Sequence, residues 1–426
     1  MSKFLHIVIT FFAVAGLCVA GFFLFSAHKN TVIDPKPAAV AQGTIASPAA
    51  TSSNIAVKNS GSDLPFQPQL ANPPAVMKGI YVTAWTAGSA KMQALIDLIK
   101  RTELNAVVID IKDYSGYVSY AMNVPDVAAS GAENQIRIIR PDALIKELHD
   151  SGIYVIGRIT DFQDPILAKA HPEWALKNKT TGAVWTDDHG LAWIDPAATP
   201  AWNYFASVAK DAFARGFDEI NFDYIRFASD GSLENISYPY WDGKTPMAAV
   251  IADYFKFLRR TFPNNKISVD LFGLATVNND GLGIGQVIEN AYEYFDYVCP
   301  MVYPSHYANG FIGYENPAKY PYQVIDYSLS HGLAKLLAMG NANTTASSAI
   351  LEPSVANNAP DTKLRPWLQD FDLGAAYTSA MVREEKQAVY DALDAATSSQ
   401  YYGGWLLWDA ANNYLTSSTE GALDKK

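Results

Sequence analysis

Two kinds of hydrophobic pattern alternate along the chain from residue 77 onward. Short runs of apolar, β-branched and aromatic residues predict eight β-strands. They cover residues 78–85, 105–113, 153–161, 217–227, 266–273, 295–303, 364–371 and 402–409. Longer segments with apolar residues at helical spacing lie between several of these runs, at 90–104, 140–152, 200–216 and 247–262. Strands that alternate with helices indicate parallel β/α units.

Eight such strands predict an α/β fold, a (β/α)8 TIM barrel that spans residues 77–417 as one domain and leaves a short tail at 418–426. A doubly wound parallel sheet is the alternative. It is less well supported because no glycine-rich phosphate-binding loop follows the first strand. In a barrel, catalytic residues lie at the C-terminal ends of the strands, so these ends are where candidate chemistry is expected.

The first 76 residues differ from the rest of the chain in composition and in hydrophobic pattern. Residues 4–27 form an almost uninterrupted apolar run, long enough to cross a bilayer as a helix. We predict a transmembrane signal anchor at 1–27, with a cleaved signal peptide as the alternative. Residues 28–76 are rich in Ala, Pro, Ser and Thr, which predicts a flexible, disordered linker. The barrel is therefore expected outside the cytoplasm, anchored to the membrane, or secreted if the segment is cleaved.

Composition narrows the function classes. The formal net charge is −11, which argues against nucleic-acid binding by general electrostatic attraction. Aromatic residues make up 12% of the chain, and in an acidic cleft they suit neutral, hydroxyl-rich ligands such as sugars. The two cysteines, Cys18 and Cys299, are far apart, and the seven histidines show no metal-binding spacing. The sequence predicts no metal site and no other cofactor.

The ends of the predicted strands carry a recurrent type of residue. Almost every strand finishes on an acidic or an aromatic side chain: Trp85, Asp110, Asp113, Asp161, Asp223, Asp270, Tyr303, Asp370, Trp408 and Asp409. Any one of these is readily explained as a cap at the surface. Because parallel strands end on the same face of a barrel, their convergence predicts an acidic and aromatic cleft.

The fourth predicted strand contains charged residues within an apolar alternation. Its alternation places Glu219, Asn221 and Asp223 on one side, which we assign to the barrel interior. Asp223 is then expected at the top of the barrel, with Asn221 below it as a hydrogen-bonding layer. Arg226 lies just beyond and is expected to pair with a neighbouring acid or to keep Asp223 ionised. The alternative is a purely structural Asp–Arg pair at a strand end.

Five blocks of this sequence resemble a known family. The blocks at 78–85, 105–120, 217–231, 364–371 and 403–414 are similar to a family of glycoside hydrolase domains catalogued as a domain of unknown function (DUF4015). The resemblance covers residues 77–414. It implies a TIM barrel and membership of the broad glycosidase superfamily, without a defined substrate.

A more distant resemblance fails at one position. Chitinase-like barrels carry the motif DxxDxDxE on strand four, with the final Glu as general acid. The comparable positions here are Asp218, Asn221, Asp223 and Ile225, so an apolar side chain stands where the acid is expected. The resemblance therefore implies that the general acid lies elsewhere or is absent.

Glycoside hydrolysis normally requires two carboxyl groups. We assign Asp223 as nucleophile or stabilising carboxylate, because its position resembles that of the amylase-type nucleophile. Asp270, which closes the fifth strand, is our choice for the general acid/base, with a pKa raised by apolar or acidic neighbours. Asp110, Asp113 and Asp370 remain competitors for the acid role.

The remaining candidates are expected to bind the sugar. The full set of predicted substrate-binding residues is Asp110, Asp113, Asn221, Arg226, Tyr303, Trp367, Asp370, Trp408 and Asp409. The loop at 174–196 is expected either to line a glycan groove or to pack on the barrel rim, and residues 341–360 are predicted to form a polar loop that acts as a lid. Together these features predict a cell-surface glycoside hydrolase of a polysaccharide. The alternative is a non-catalytic, glycan-binding barrel tethered to the membrane.

Overall fold

The computed structural model describes residues 63–346, 361–394 and 398–419. The predicted anchor at 1–27, most of the predicted linker and the end of the tail lie outside the described residues. The described chain contains eight parallel strand positions arranged as a closed barrel. Their bounds are β1 Met77–Val82, β2 Ala106–Lys112, β3 Tyr154–Thr160, β4 Glu219–Asp223, β5 Lys266–Phe272, β6 Tyr297–Met301, β7 in two pieces at Lys363–Leu364 and Trp367–Gln369, and β8 Gly404–Trp408.

Helices follow most of the strands and form the outer layer. The principal ones are α1 Lys91–Lys100, α2 Pro141–Asp150, α3 Thr199–Arg215, α4 Met247–Thr261, α5 Ile288–Tyr292, α6 Pro321–Ala346, α7 Ser379–Leu393 and α8 Thr416–Thr419. Short helices at Ala84–Ala87, Pro125–Ser130 and Pro165–Ala170 lie in the loops after β1, β2 and β3. An antiparallel pair, Lys177–Asn178 with Ile236–Ser237, joins the loop after β3 to the loop after β4. Helix α6 includes the first six residues of the predicted loop at 341–360, and residues 347–360 lie outside the described residues.

Neighbouring strands pair in chain order, and the barrel closes between β8 and β1 and between β6 and β7. Strand β7 is interrupted at Pro366, which has no backbone N–H to donate to the ladder. The second piece of β7 still pairs with both neighbours, through Trp367 to Met301 of β6 and Leu406 of β8. These pairings confirm the predicted (β/α)8 barrel.

The barrel interior is partly apolar and partly polar. Alternate residues of β1, β2, β3, β6, β7 and β8 form the apolar cluster. Strands β4 and β5 instead direct polar side chains inward, in agreement with the predicted orientation of Glu219, Asn221 and Asp223. At the bottom, the fully buried Arg365 guanidinium contacts both carboxylate oxygens of Glu219, and Ser268 Oγ lies 2.5 Å from Glu219 Oε1.

The buried Arg365–Glu219 ion pair leads to a prediction about stability. Replacing Arg365 with Met leaves the Glu219 charge without its counter-ion, so the free energy of unfolding is expected to fall by about 3–5 kcal/mol. Adding Glu219→Gln removes that charge and is expected to recover most of the loss. Denaturant unfolding of the two variants checks this. A double variant no more stable than Arg365→Met would show that the charge is not the cause.

The residues just before the barrel are also ordered. Asp63 accepts hydrogen bonds from the N–H groups of Asp142 and Ala143 at the start of α2, at 2.9 and 3.1 Å. Leu70 N–H donates to Asp218 Oδ1 at 2.6 Å, at the N-terminal end of β4. The last part of the predicted linker therefore lies against the bottom of the barrel. No helix among the described residues is both long and apolar enough to cross a membrane.

Candidate active site

The C-terminal ends of β2, β3, β4 and β5 bring three carboxyl groups to one guanidinium. Arg158 of β3 is 4% exposed, and its NH1 lies 2.7 Å from Asp110 Oδ1. Its Nε lies 3.1 Å from Asp223 Oδ2, an oxygen that its NH2 also contacts. Asp270 Oδ2 is 3.8 Å from the same Nε. We call Arg158, Asp110, Asp223 and Asp270 the acidic cluster.

The two assigned carboxyl groups are neighbours. Because Arg158 Nε is 3.1 Å from Asp223 Oδ2 and 3.8 Å from Asp270 Oδ2, these oxygens are at most 6.9 Å apart. In glycosidases the two carboxyl groups are separated by roughly 5–5.5 Å in retaining enzymes and roughly 6.5–9.5 Å in inverting ones. Asp223 and Asp270 are therefore close enough for both carboxyl groups to act on one glycosidic bond.

Asp270 occupies an environment that favours its neutral form. Its side chain is almost completely buried, and Oδ1 accepts hydrogen bonds from Trp367 Nε1 at 2.7 Å and from Asn221 Nδ2 at 2.9 Å. Burial, followed by the negative charge of Asp223, raises the pKa of Asp270 to about 8, against the opposing charge of Arg158. At neutral pH this group is therefore predominantly a protonated acid, next to the carboxyl group that Arg158 contacts.

Asp110 is the second acid of raised pKa in the cluster. Burial raises its pKa to about 6, with the Asp113 charge adding to the effect and Arg158 opposing it. Tyr81 O–H donates to Asp110 Oδ2 at 2.5 Å. A register shift between Asp110 and Lys112 in β2 bends the strand end. Asp110 therefore faces the interior, whereas the Lys112 ammonium lies among Asp164 and Phe205, next to α3.

Aromatic rings surround the acidic cluster. Trp408 stacks on Tyr81 with ring centroids 3.8 Å apart, and its edge meets Trp367 at 5.4 Å. The Arg158 guanidinium lies 5.1 Å from the Trp408 ring centroid. Trp408 is only partly buried, so one part of this aromatic floor reaches solvent. Such a floor suits the apolar face of a sugar ring.

Tyr303 supplies a hydroxyl group without a partner. Its ring is buried against Phe371, at 5.5 Å, and its O–H has no hydrogen-bond partner among the described residues. Burial and the nearby charges of Asp270 and Asp223 raise the pKa of Tyr303 well above its ordinary value. The hydroxyl therefore remains protonated, and no hydrogen bond within the described residues uses it.

The backbone immediately after Asp223 is unusual. Tyr224 has a φ of 55°, in the left-handed region that non-glycine residues rarely adopt. Its N–H donates to Asp223 Oδ1 at 2.6 Å. The turn thus fixes one carboxylate oxygen of Asp223, while Arg158 contacts the other. Strained backbone of this kind is often found at functional sites.

Several predicted residues lie outside the acidic cluster. Asp370 follows the inward-facing Trp367 by three residues, so alternation turns it towards the helices, where it contacts Ser418 of α8. Its pKa is raised to about 7 by burial and by the charge of Asp409. Asp409 accepts hydrogen bonds from the N–H groups of Ala411 and Asn413, which organises the loop after β8.

Asp113 and Arg226 lie at the edges of the site. Asp113 Oδ1 accepts the Ser115 N–H at 2.9 Å and closes a turn, while its charge still acts on Asp110. The Arg226 guanidinium lies over the rings of Trp193, at 4.7 Å, and Phe272, at 5.0 Å. The cation that the structure places against Asp223 is Arg158.

Sequence reasoning missed Arg158 and Tyr81. The available signal was an arginine in the middle of a strand that otherwise reads as buried, since arginine is almost never fully buried without an ionic partner. Within the described ranges, no group of three or more His, Cys, Asp or Glu side chains has the arrangement of a metal site. Arg158 supplies the positive charge next to the three carboxyl groups of the acidic cluster.

The loop at 174–196 packs mainly on the barrel rim. Trp193 and Trp185 are buried, and Trp193 Nε1 donates to Asp187 Oδ2 at 2.9 Å. Gln163 Nε2, from the loop after β3, donates to the same oxygen at 2.9 Å. Of the two expectations for this loop, these contacts support packing.

Comparison with known proteins gives a family and a fold. The family model described as "Putative glycosyl hydrolase domain" (DUF4015) matches residues 79–414. No curated protein sequence matches the chain. A hypothetical protein from Ruminiclostridium thermocellum ATCC 27405 is 40% identical over 45% of this chain and 96% of its own, with a TM-score of 0.41.

Two structures of glycoside hydrolase domains are similar at low identity. The PgaB (BpsB) glycoside hydrolase domain from Bordetella bronchiseptica has a TM-score of 0.53 at 11% identity, over 81% of this chain and 99% of its own. The PelA glycoside hydrolase domain from Pseudomonas aeruginosa has a TM-score of 0.42 at 12% identity, over 80% of this chain and 97% of its own. The similarity to the PgaB domain supports the barrel fold.

Proposed function

Because the chain belongs to the DUF4015 family of glycosyl hydrolase domains, we propose that it hydrolyses glycosidic bonds with Asp223 and Asp270 as its two carboxyl groups. One observation carries the proposal. Asp223, whose Oδ2 accepts hydrogen bonds from Arg158, lies beside Asp270, whose pKa is raised to about 8 by burial and by the negative charge of Asp223. Two neighbouring carboxyl groups in opposite protonation states are what acid-assisted glycoside cleavage requires.

The proposed reaction has two steps. Asp270 donates its proton to the glycosidic oxygen as the bond from that oxygen to the anomeric carbon breaks, and Asp223 forms a bond to the anomeric carbon. Water then attacks the anomeric carbon, gives a proton to Asp270 and displaces Asp223. This retaining course is favoured by the 6.9 Å limit on the separation of the nearest oxygens, which lies near the bottom of the inverting range.

The neighbours of the pair have supporting roles in this proposal. Arg158 holds the Asp223 carboxyl group in place through hydrogen bonds to Oδ2, and Asn221 and Trp367 orient Asp270 through hydrogen bonds to Oδ1. In this proposal the hydroxyl of Tyr303, which has no hydrogen-bond partner among the described residues, contacts the sugar. Trp408 offers the exposed part of its ring to the apolar face of a sugar.

A non-catalytic, glycan-binding barrel is the second candidate. Ile225 stands where chitinase-like barrels have their acid, and Asp223 is engaged in an ion pair. A protein of this kind would retain the aromatic floor and bind glycan without cleaving it. The raised pKa of Asp270 favours the enzyme, because a binding site has no need of a buried acid next to a carboxylate.

For the substrate and location, we propose a cell-wall or exopolymer polysaccharide and an extracytoplasmic barrel. The acidic, aromatic cleft supports a neutral glycan. The apolar run at 4–27 supports attachment to the membrane. Fractionation of cells that produce the full chain, followed by protease accessibility of the barrel, tests this location.

The acid role of Asp270 predicts the pH dependence of hydrolysis. Its pKa lies above the ordinary carboxyl value, so the group is protonated below about pH 8 and loses its proton above that value. The ratio kcat/KM is therefore expected to fall on the alkaline side with a midpoint near pH 8. A profile without this decline up to pH 9 would contradict the assignment.

The variant Asp270→Asn tests whether Asp270 acts as the general acid rather than as the nucleophile. We expect kcat/KM for a natural glycan to fall by roughly 10²–10⁴-fold, since an amide cannot donate the required proton. A nitrophenyl glycoside of the same sugar has a leaving group that needs no proton, so its cleavage is expected to fall much less. Equal losses on both substrates would exclude Asp270 as the acid.

A further inference from the structure

A pocket of about 460 Å³ lies on the same face of the barrel as the acidic cluster and is lined by none of its residues. Lys179 comes from the loop after β3, Ser237 and Trp241 from the loop after β4, and Gly283 from the loop after β5. Loops that follow parallel strands lie at the C-terminal end of the barrel. The pocket therefore opens on the face that carries the candidate active site.

The wall of this pocket is aromatic and well supported. Tyr238 and Trp241 both line it, with ring centroids 4.8 Å apart in an edge-to-face arrangement. Each ring also packs on the buried Phe227, at 5.7 and 5.2 Å. Trp241 Nε1 donates to the Thr245 carbonyl oxygen at 2.8 Å, which fixes the plane of the indole.

The loop that carries these rings is anchored to the barrel. The fully buried Asp195 accepts the N–H groups of Tyr240 and Trp241 at Oδ2, at 2.8 and 2.9 Å. Across the pocket, Lys179 Nζ donates to the Glu234 carbonyl oxygen at 2.7 Å. The pocket is thus held in shape before any ligand binds, which lowers the entropic cost of binding.

The pocket is close to the acidic cluster. Ala228 lines the pocket and lies five residues after Asp223 in the chain. Five residues span at most about 18 Å between Cα atoms, even when fully extended. A single oligosaccharide of several units can therefore reach from the acidic cluster to the pocket.

We propose that this pocket is a distal saccharide site, which binds a sugar ring of the same glycan whose scissile bond lies at Asp223 and Asp270. The inference rests on the proposed function and narrows it to substrates of several sugar units, because a short saccharide cannot occupy both places. A sugar ring presents an apolar face to Trp241 and Tyr238 and hydroxyl groups to the polar rim. Lys179 and Ser237 supply hydrogen-bonding groups on that rim.

The test measures binding by isothermal titration calorimetry to the full chain carrying Asp223→Asn, which prevents turnover. The probes are hexamers and dimers of β-linked glucose and of β-linked N-acetylglucosamine. Two changes remove the site in different ways: Trp241→Ala deletes the aromatic wall, and Ser237→Trp fills the pocket from an exposed position. Tyr240→Ala is the matched control, because Tyr240 is an exposed aromatic residue of the same loop that does not line the pocket.

We expect both pocket variants to weaken binding of the favoured hexamer by about tenfold or more, with dimer binding and the Tyr240→Ala control unchanged. Unchanged hexamer binding in both variants would overturn the inference. So would equal weakening of dimer and hexamer, or the absence of saccharide binding at millimolar concentrations. If the length-dependent binding pattern is found but the wild-type chain does not hydrolyse the favoured hexamer, the distal site stands and the proposed hydrolysis of that glycan fails.

Discussion

Replacing Asp223 with Asn is expected to lower kcat/KM for glycan hydrolysis by roughly 10³-fold or more. Asn is nearly the same size but has no charge, so it can neither attack the anomeric carbon nor stabilise the positive charge that develops there. Asp223 Oδ2 accepts from Arg158 and Oδ1 accepts from the Tyr224 N–H, so the Nδ2 donor of Asn replaces one acceptor and one of these two contacts is lost. Initial rates of hydrolysis of a glycan that the wild type cleaves, measured over a range of concentrations, give kcat/KM for both proteins.

Asp370→Asn is the matched control for this variant. Asp370 also follows the end of a strand and also has a raised pKa, about 7, but it contacts α8 rather than the acidic cluster. Its substitution is expected to leave kcat/KM close to the wild-type value. Thermal unfolding of both variants verifies that they are folded. If Asp370→Asn were as inactive as Asp223→Asn, the loss could not be attributed to the acidic cluster.

The second large effect is expected from Arg158→Met. Arg158 is the guanidinium that contacts Asp110 and Asp223 and lies near Asp270, and all four side chains are buried. Its removal leaves buried carboxyl groups without their counter-charge. We expect the free energy of unfolding at pH 7 to fall by about 3–5 kcal/mol. Arg158→Lys keeps the positive charge and is expected to lose less.

The pH dependence of this loss identifies its cause. The pKa values of Asp110 and Asp270 are already raised, to about 6 and 8, although Arg158 opposes both shifts. Without Arg158 they are expected to rise further. Acids with folded-state pKa values above their unfolded values stabilise the fold at low pH and lose that contribution as pH rises through the folded values. Urea unfolding should therefore show a smaller loss at pH 5 than at pH 8. A loss independent of pH would indicate packing instead.

The alternation of side chains in a strand accounts for the part of the site that could be predicted. Glu219, Asn221 and Asp223 were assigned to the interior from their spacing alone, and the structure places them there with Asp270 beside Asn221. The repeated order of strand and helix likewise predicted parallel β/α units, and the number of strands, eight, predicted the barrel.

What the sequence could not supply is the set of partners across strands. Arg158 and Asp110 lie 48 positions apart in the chain, so their pairing depends on barrel register, which no local pattern specifies. The register shift that separates Asp110 from Lys112 is equally invisible in the sequence. Asp370 and Asp409 were grouped with the site because they end strands, although their positions relative to Trp367 and Trp408 turn them to the other side.

The central claim is tested most directly by the release of reducing ends from a panel of bacterial and plant polysaccharides. The full-length wild-type chain is assayed beside the double variant Asp223→Asn/Asp270→Asn, and pull-down with each insoluble glycan measures binding by both. We predict that the wild type releases reducing ends from at least one glycan, and that the double variant binds this glycan without cleaving it. Cleavage by the double variant at the wild-type rate, or binding without cleavage by the wild type on every glycan, would contradict the account.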